Sequence, residues 1–246
     1  MKLLKSNSGL QYGSFGNKDD KTLLFLHGFG SHLENYSLLL DSLSRKYYVL
    51  APLLFGIHDS LENQPIEWND YLNTTLNFCR EHVPENAYLV GHSYGALMAM
   101  ILSQDIKAQK VVAMNALVPG KLNTKRVAHM ASTLIKDLFN PIGEINSIQK
   151  WPSIPGAYLA NIIKNPLAYV TAGFSANQVE IDNIESSTDL TIIHSDEDAM
   201  FSTGQVVDMK KKFSNSKMKI IPGLSHNWAI YYPHMASKVI LDSLEN

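Results

Sequence analysis

The chain is poor in cysteine, in unbalanced charge and in long apolar runs. Cys79 is the single cysteine among 246 residues, so no internal disulfide can form. It sits in the helical pattern Asn69 to Glu81 with no glycine turn to present its thiol, which is the setting of a small core or surface residue and not of a nucleophile. No run approaches the ~20 apolar residues needed to cross a bilayer, and Met1 to Leu10 carries only the apolar pair Leu3-Leu4, too little for a secretory signal. The expectation is a soluble, cytoplasmic protein with no membrane partner. Basic residues number 21 and acidic residues 23, giving a net charge of -2. No lysine or arginine stripe appears, so the electrostatic footprint of a nucleic-acid partner is missing. Lys210-Lys211-Lys212, a short basic run, suits the negative end of a helix dipole. No Cys/His spacing suggests a metal site and no G-x-G-x-x-G follows an apolar strand, so neither metal nor cofactor is expected.

What the chain does have is a serine between glycines at a change of periodicity. The apolar run Ala87-Tyr88-Leu89-Val90 leads into Gly91-His92-Ser93-Tyr94-Gly95, and Ala96 to Leu102 continues as an apolar helix. This is a G-x-S-x-G elbow between strand and helix. Such a turn strains the serine backbone, and side-chain-free residues at 91 and 95 let strand and helix approach. Ser93 Oγ is thereby presented to a substrate, and the unpaired N-H groups of the helix start favour negative charge beside it. Further upstream, Thr22-Leu23-Leu24-Phe25-Leu26 runs into the glycine-rich loop His27-Gly28-Phe29-Gly30.

Together these segments resemble the α/β-hydrolase fold superfamily. The resemblance implies an α/β fold: a mostly parallel, doubly wound sheet of about eight strands, with a helical lid inserted after the sixth strand. It implies a backbone oxyanion hole from the N-H groups of Phe29 and Tyr94, with the His27 side chain serving the architecture. It also implies a base and an orienting acid downstream of Ser93, in the order Ser, Asp, His. After the buried strand Asp189 to His194, the family pattern places Asp198 as the acid; Asp196 is the runner-up, and Asp196 and Glu197 otherwise read as a solvated loop face. His226, beyond the alternating edge strand Lys217 to Ile221, fits the position of the base. The remaining histidines, His92 next to the nucleophile included, lack a matching context and read as surface or satisfied core residues.

The coarse order of elements agrees. Edge strands are expected near Lys2 to Lys5 and Leu10 to Phe15, a helix over His32 to Leu43, a strand over Tyr47 to Ala51 and a helix from Ile66 to His82. A buried strand is expected over Lys110 to Leu117. Strands alternating with helices imply parallel pairing, and 246 residues suffice for one large core domain formed by residues 1–117 and 188–246. Residues 118–187 are far longer than a simple connection and are assigned to the lid, with helical pieces at Arg126 to Phe139, Gly143 to Lys150 and Tyr158 to Ile163, separated by prolines that include Pro166. Its large apolar residues, Phe174 among them, could line an apolar cleft or pack the lid onto the core, and most of them are assigned to packing. Leu53 stands where many family members carry an acid and is expected to extend the apolar wall of the site.

The function so implied is hydrolysis of a small, apolar carboxylic ester through an acyl-serine intermediate. A carbon-carbon bond hydrolase of ring-cleavage-type diketones and a hydrolase-like small-molecule receptor are the alternatives. The partner is a small-molecule substrate; the oligomeric state is not specified by the sequence.

Overall fold

The computed structural model describes residues 3–54, 67–120, 166–181 and 188–245, with isolated helical positions at 129, 132 and 163. Eight strands form one sheet: β1 (Leu3–Lys5), β2 (Gln11–Phe15), β3 (Thr22–Leu26), β4 (Tyr48–Pro52), β5 (Tyr88–His92), β6 (Lys110–Met114), β7 (Asp189–Ser195) and β8 (Ser216–Ile221), in the order β1-β2-β4-β3-β5-β6-β7-β8. The pairs β1-β2 and β2-β4 are antiparallel, and every pairing from β4 to β8 is parallel.

Continuous apolar strands follow from burial on both faces. In β3, Leu24 and Leu26 join one core cluster while Leu23 and Phe25 join the other, as the two-residue period of a strand requires. The first cluster is closed by α2 (Trp68–His82), α3 (Tyr94–Leu102) and α5 (Thr203–Lys210), through residues such as Phe78, Leu97 and Val206. The second is closed by α1 (Ser37–Leu43), α6 (Trp228–Tyr231) and α7 (Pro233–Glu245), through Leu39, Leu40, Trp228 and Ile240. At the sheet edge, β8 alternates instead, and Lys217, Lys219 and Ile220 are exposed. The chain runs from β3 outward to β4 and then back past β3 to β5, so the connections leave the carboxyl ends of β3 and β5 in opposite directions. That switch point opens a crevice where ligands bind in doubly wound sheets.

The elements depart most from expectation in three places. The helix expected from His32 starts as a 3-10 turn, Leu33–Tyr36, capped by the His32 side chain on the Glu34 N-H, before α1 begins. The sixth strand stops at Met114, not Leu117, because Asn115 turns to φ 42. Residues 118–187 fall between β6 and β7, and the helical pieces expected there lie outside the described residues apart from positions 129, 132 and 163. The stretch that is described contains α4 (Pro166–Asn177), which the spacing of prolines hides: Pro166 occupies the first helical position, where its missing N-H costs nothing, instead of separating helices. Leu167, Val170 and Phe174 lie exposed along α4. Among the described residues no helix is long and apolar enough to cross a membrane.

Candidate active site

Ser93 sits at the junction of β5 and α3 with φ 54 and ψ -115, a conformation that a non-glycine residue adopts only under constraint. The constraint is visible on both sides. The Ser93 N-H donates to the Met114 carbonyl at 2.9 Å, and its own carbonyl accepts from Ala96 and Leu117, each at 3.0 Å. A Cβ on Gly91 would strike the Gly95 carbonyl, and one on Gly95 would strike the carbonyl of Leu26, so the glycines at these positions follow from the closeness of helix and sheet.

His226, in the loop after β8, places Nε2 2.8 Å from Ser93 Oγ and Nδ1 2.8 Å from Asp198 Oδ2, in the loop after β7. An ionised carboxylate only accepts, so the imidazole proton is on Nδ1 and Nε2 receives the serine hydroxyl. Burial by itself would raise the Asp198 carboxyl. The adjacent His226, the hydrogen bond to it and the amides of Met200 and Phe201 outweigh burial and hold the group below its ordinary value. Those amides donate to Asp198 Oδ1 at 2.8 and 3.1 Å, and Asn115 Nδ2 donates to Oδ2 at 2.8 Å. Asn115 in turn accepts from Trp228 Nε1 at 2.9 Å. Its left-handed backbone is what turns the side chain toward the acid. Asp196 instead accepts the Gly223 N-H at 2.7 Å on the surface, tying the two loops together away from Ser93.

On the other side of the crevice, the loop after β3 is fixed by neutral groups. Leu54 N-H donates to His27 Nε2 at 2.9 Å, so the His27 proton is on Nδ1, which donates to the Gly28 carbonyl at 2.8 Å; Ser31 Oγ donates to the same oxygen at 2.7 Å. Burial lowers His27 to about 4. The Gly28 carbonyl and the Phe29 N-H belong to one trans peptide and point opposite ways, so fixing the carbonyl fixes the direction of that amide. The Tyr94 N-H is the first of α3, immediately after Ser93. The Phe29 ring lies 5.8 Å from Tyr94 by centroids, Trp68 packs edge-on to Tyr94 at 4.7 Å, and Gly173 of α4 lies against Phe29, where a Cβ would come within 3.1 Å of the ring. Phe29, Tyr94 and Trp68 therefore form one aromatic cluster beside the elbow.

Several residues around the site carry no mark in the sequence. His92, Tyr36 and Asn115 have no motif signal beyond the position of His92 within the elbow, and Trp228 only follows His226 by two residues. His194 is fully buried with Nδ1 3.9 Å from Asp198 Oδ2, too far for a hydrogen bond, and burial lowers its pKa. Leu53 is 1% exposed and packs within the core cluster that α1 covers. Cys79 is buried, and burial pushes its thiol up to about 12, which leaves no thiolate for chemistry. Among the described residues no group of His, Cys, Asp and Glu could hold a metal ion.

Residues 23–238 match the alpha/beta hydrolase family. The chain belongs to that family. The hydrolase fold is shared over full length with solved structures of low identity: a meta-cleavage product hydrolase from Pseudomonas fluorescens IP01 is 16% identical with TM-score 0.77, covering 100% of this chain and 97% of that one. A hydrolase from Pseudomonas aeruginosa PA01 is 15% identical with TM-score 0.75, covering 100% and 98%. In sequence, this hydrolase chain is 26% identical over 136 residues to "Putative esterase/lipase 2" of Mycoplasma genitalium, covering 51% of each protein. The chain thus matches about half the length of that curated relative, and 36% of a second, the magnesium-chelatase 30 kDa subunit of Rhodobacter capsulatus.

Proposed function

We propose that this hydrolase cleaves a small, apolar carboxylic ester through an acyl-serine intermediate. Ser93 is the nucleophile, His226 the general base that later returns the proton to the leaving alcohol, and Asp198 the group that orients the imidazole and stabilises it when charged. The amides of Phe29 and Tyr94 receive the oxyanion. The observation that carries this reading is the unbroken chain Ser93 Oγ, His226 Nε2, His226 Nδ1, Asp198 Oδ2, with 2.8 Å at both contacts, ending on a serine whose backbone is held in a strained turn. The chemistry uses only side chains and main-chain amides, so no cofactor enters it. Residues 118–187 are assigned to a lid, supported by the contact of α4 on Phe29.

An ester ranks above a diketone because, among the described residues, the aromatic cluster of Phe29, Tyr94 and Trp68 brings no charge to the site. Among the described residues the arginines, Arg45 and Arg80, are exposed, and Arg126 lies outside them. The test is turnover of short p-nitrophenyl esters by the wild type and by Ser93→Ala, alongside a vinylogous 1,5-diketone. Ester turnover lost in Ser93→Ala supports the proposal; equal turnover by both proteins ends it, and turnover of the diketone alone transfers the same machinery to carbon-carbon cleavage.

A further inference from the structure

We propose that Tyr36 and His92 are positioning residues that form a buried hydrogen-bond strut from the Gly28 amide to the backbone of His226, locking the oxyanion side of the site to its base. The proposal rests on the serine-hydrolase reading above. The Gly28 N-H donates to Tyr36 Oη at 3.2 Å, Tyr36 Oη lies 2.7 Å from His92 Nδ1, and His92 Nε2 lies 3.0 Å from the His226 carbonyl. A carbonyl can only accept, so His92 carries its proton on Nε2; Nδ1 must then accept, and the Tyr36 hydroxyl proton goes to it. Every donor and acceptor along the line has one assignment. The strut can form in only one direction.

Its path explains what it joins. A Cβ on Gly28 would lie 3.0 Å from His92 Nδ1, 3.2 Å from Tyr36 Oη and 3.5 Å from Ser93 Cβ, so the strut passes directly behind the nucleophile. In the sheet, β5 and β8 are separated by β6 and β7, and ladder hydrogen bonds do not connect the elbow to the loop that carries His226. The His92 side chain spans that gap. At the other end, Tyr36 holds the peptide that precedes Gly28 while His27 and Ser31 hold the one that follows, so both peptide planes flanking Gly28 are fixed. A neutral ring suits this place, because the rings of His92 and His226 are 5.4 Å apart and a charged His92 would oppose the imidazolium that forms on the base. Burial, reinforced by His226, lowers His92 to about 3.

A core that needed only volume would accept phenylalanine at both positions. The variants Tyr36→Phe, His92→Phe, His92→Gln and the double Tyr36→Phe/His92→Phe separate packing from positioning, because the double variant removes the internal polar pair while keeping the ring volumes. In the proposed case all melt cooperatively, and Tyr36→Phe and the double variant lose about 10- to 100-fold in kcat and in the rate of fluorophosphonate labelling, with KM within about threefold. His92→Gln, whose amide can still donate to the His226 carbonyl, recovers part of the rate that His92→Phe loses. Nitrogen NMR of the wild type finds His92 neutral with its proton on Nε2 from about pH 5 to pH 8. A folded double variant that labels and turns over within about twofold of wild type overturns the proposal. So does His92 carrying its proton on Nδ1. Wild type that neither labels nor turns over sinks the hydrolase reading and the positioning role with it, whereas the NMR arm reports on the strut alone.

Discussion

On the β3 side of the crevice the backbone is held by neutral imidazoles and hydroxyls, those of His27, Ser31, Tyr36 and His92; on the β7-β8 side the organising group is an ionised carboxylate, Asp198, surrounded by Asn115 and two amides. Under the proposed mechanism the contrast follows from what each side is asked to hold. Main-chain amides aimed at a developing oxyanion need fixed peptide planes, and neutral hydrogen bonds supply these without adding charge to the cavity. An imidazole that gains a proton during the reaction needs a counter-charge, and a carboxylate kept ionised despite burial supplies it.

The comparison is tested most severely by removing the reacting groups. Ser93→Ala is expected to abolish fluorophosphonate labelling and to lower ester kcat by about 10⁴- to 10⁶-fold. On the carboxylate side, Asp198→Asn should cost about 10⁴-fold in kcat, since the amide can fix the wrong tautomer of His226. Asp196→Asn should stay within about twofold, its carboxylate being on the surface. The reverse result would move the acid to Asp196.

Acid should weaken the neutral side first. His27 and His92 titrate at about 4 and about 3 when folded, against about 6.5 when unfolded, so the unfolded chain takes up protons first as the pH falls below about 6.5. Stability is full above that point and declines toward pH 4, by on the order of 3 kcal/mol for each histidine. Asp198, whose folded pKa is depressed, contributes stability above the ordinary carboxylate value and loses it only as the pH falls further, through the folded pKa. Urea midpoints from pH 7 to pH 4 for the wild type and His92→Gln measure this. An unchanged slope in the variant would contradict the assignment of His92 as a buried neutral base.

Smaller effects mark the periphery. Asn115→Ala leaves Trp228 Nε1 without its acceptor and Asp198 with one donor fewer, a loss of about 1 to 3 kcal/mol in denaturant unfolding. Phe174→Ser, on the exposed face of α4, should change stability by less than about 0.5 kcal/mol, read as an unshifted Tm.

The elbow and the HG-x-G loop were legible because each couples a local pattern to a requirement that any such turn imposes. Glycine at 91 and 95 reports a helix pressed on a sheet, and the backbone contacts there bear that out. Fully apolar strands reported burial on both faces. The strand that ends at Met114 was overextended because Asn115-Ala116-Leu117 continues the apolar pattern, and nothing local signals that Asn115 turns to reach Asp198 some 83 residues away. Likewise α4 was missed because proline at a helix start and proline between helices look alike in sequence.

From the sequence alone came the strand-turn-helix that strains Ser93, the glycines that permit it, and the buried strands that order the sheet, since these depend on neighbours within a few residues and on the period of side-chain burial. Tertiary structure alone decided which tautomer each buried histidine holds, that Tyr36 meets His92, and that Asn115 joins Trp228 to Asp198. Hydrogen bonds between distant segments depend on where the sheet brings their loops, and short-range sequence patterns carry no record of those distances.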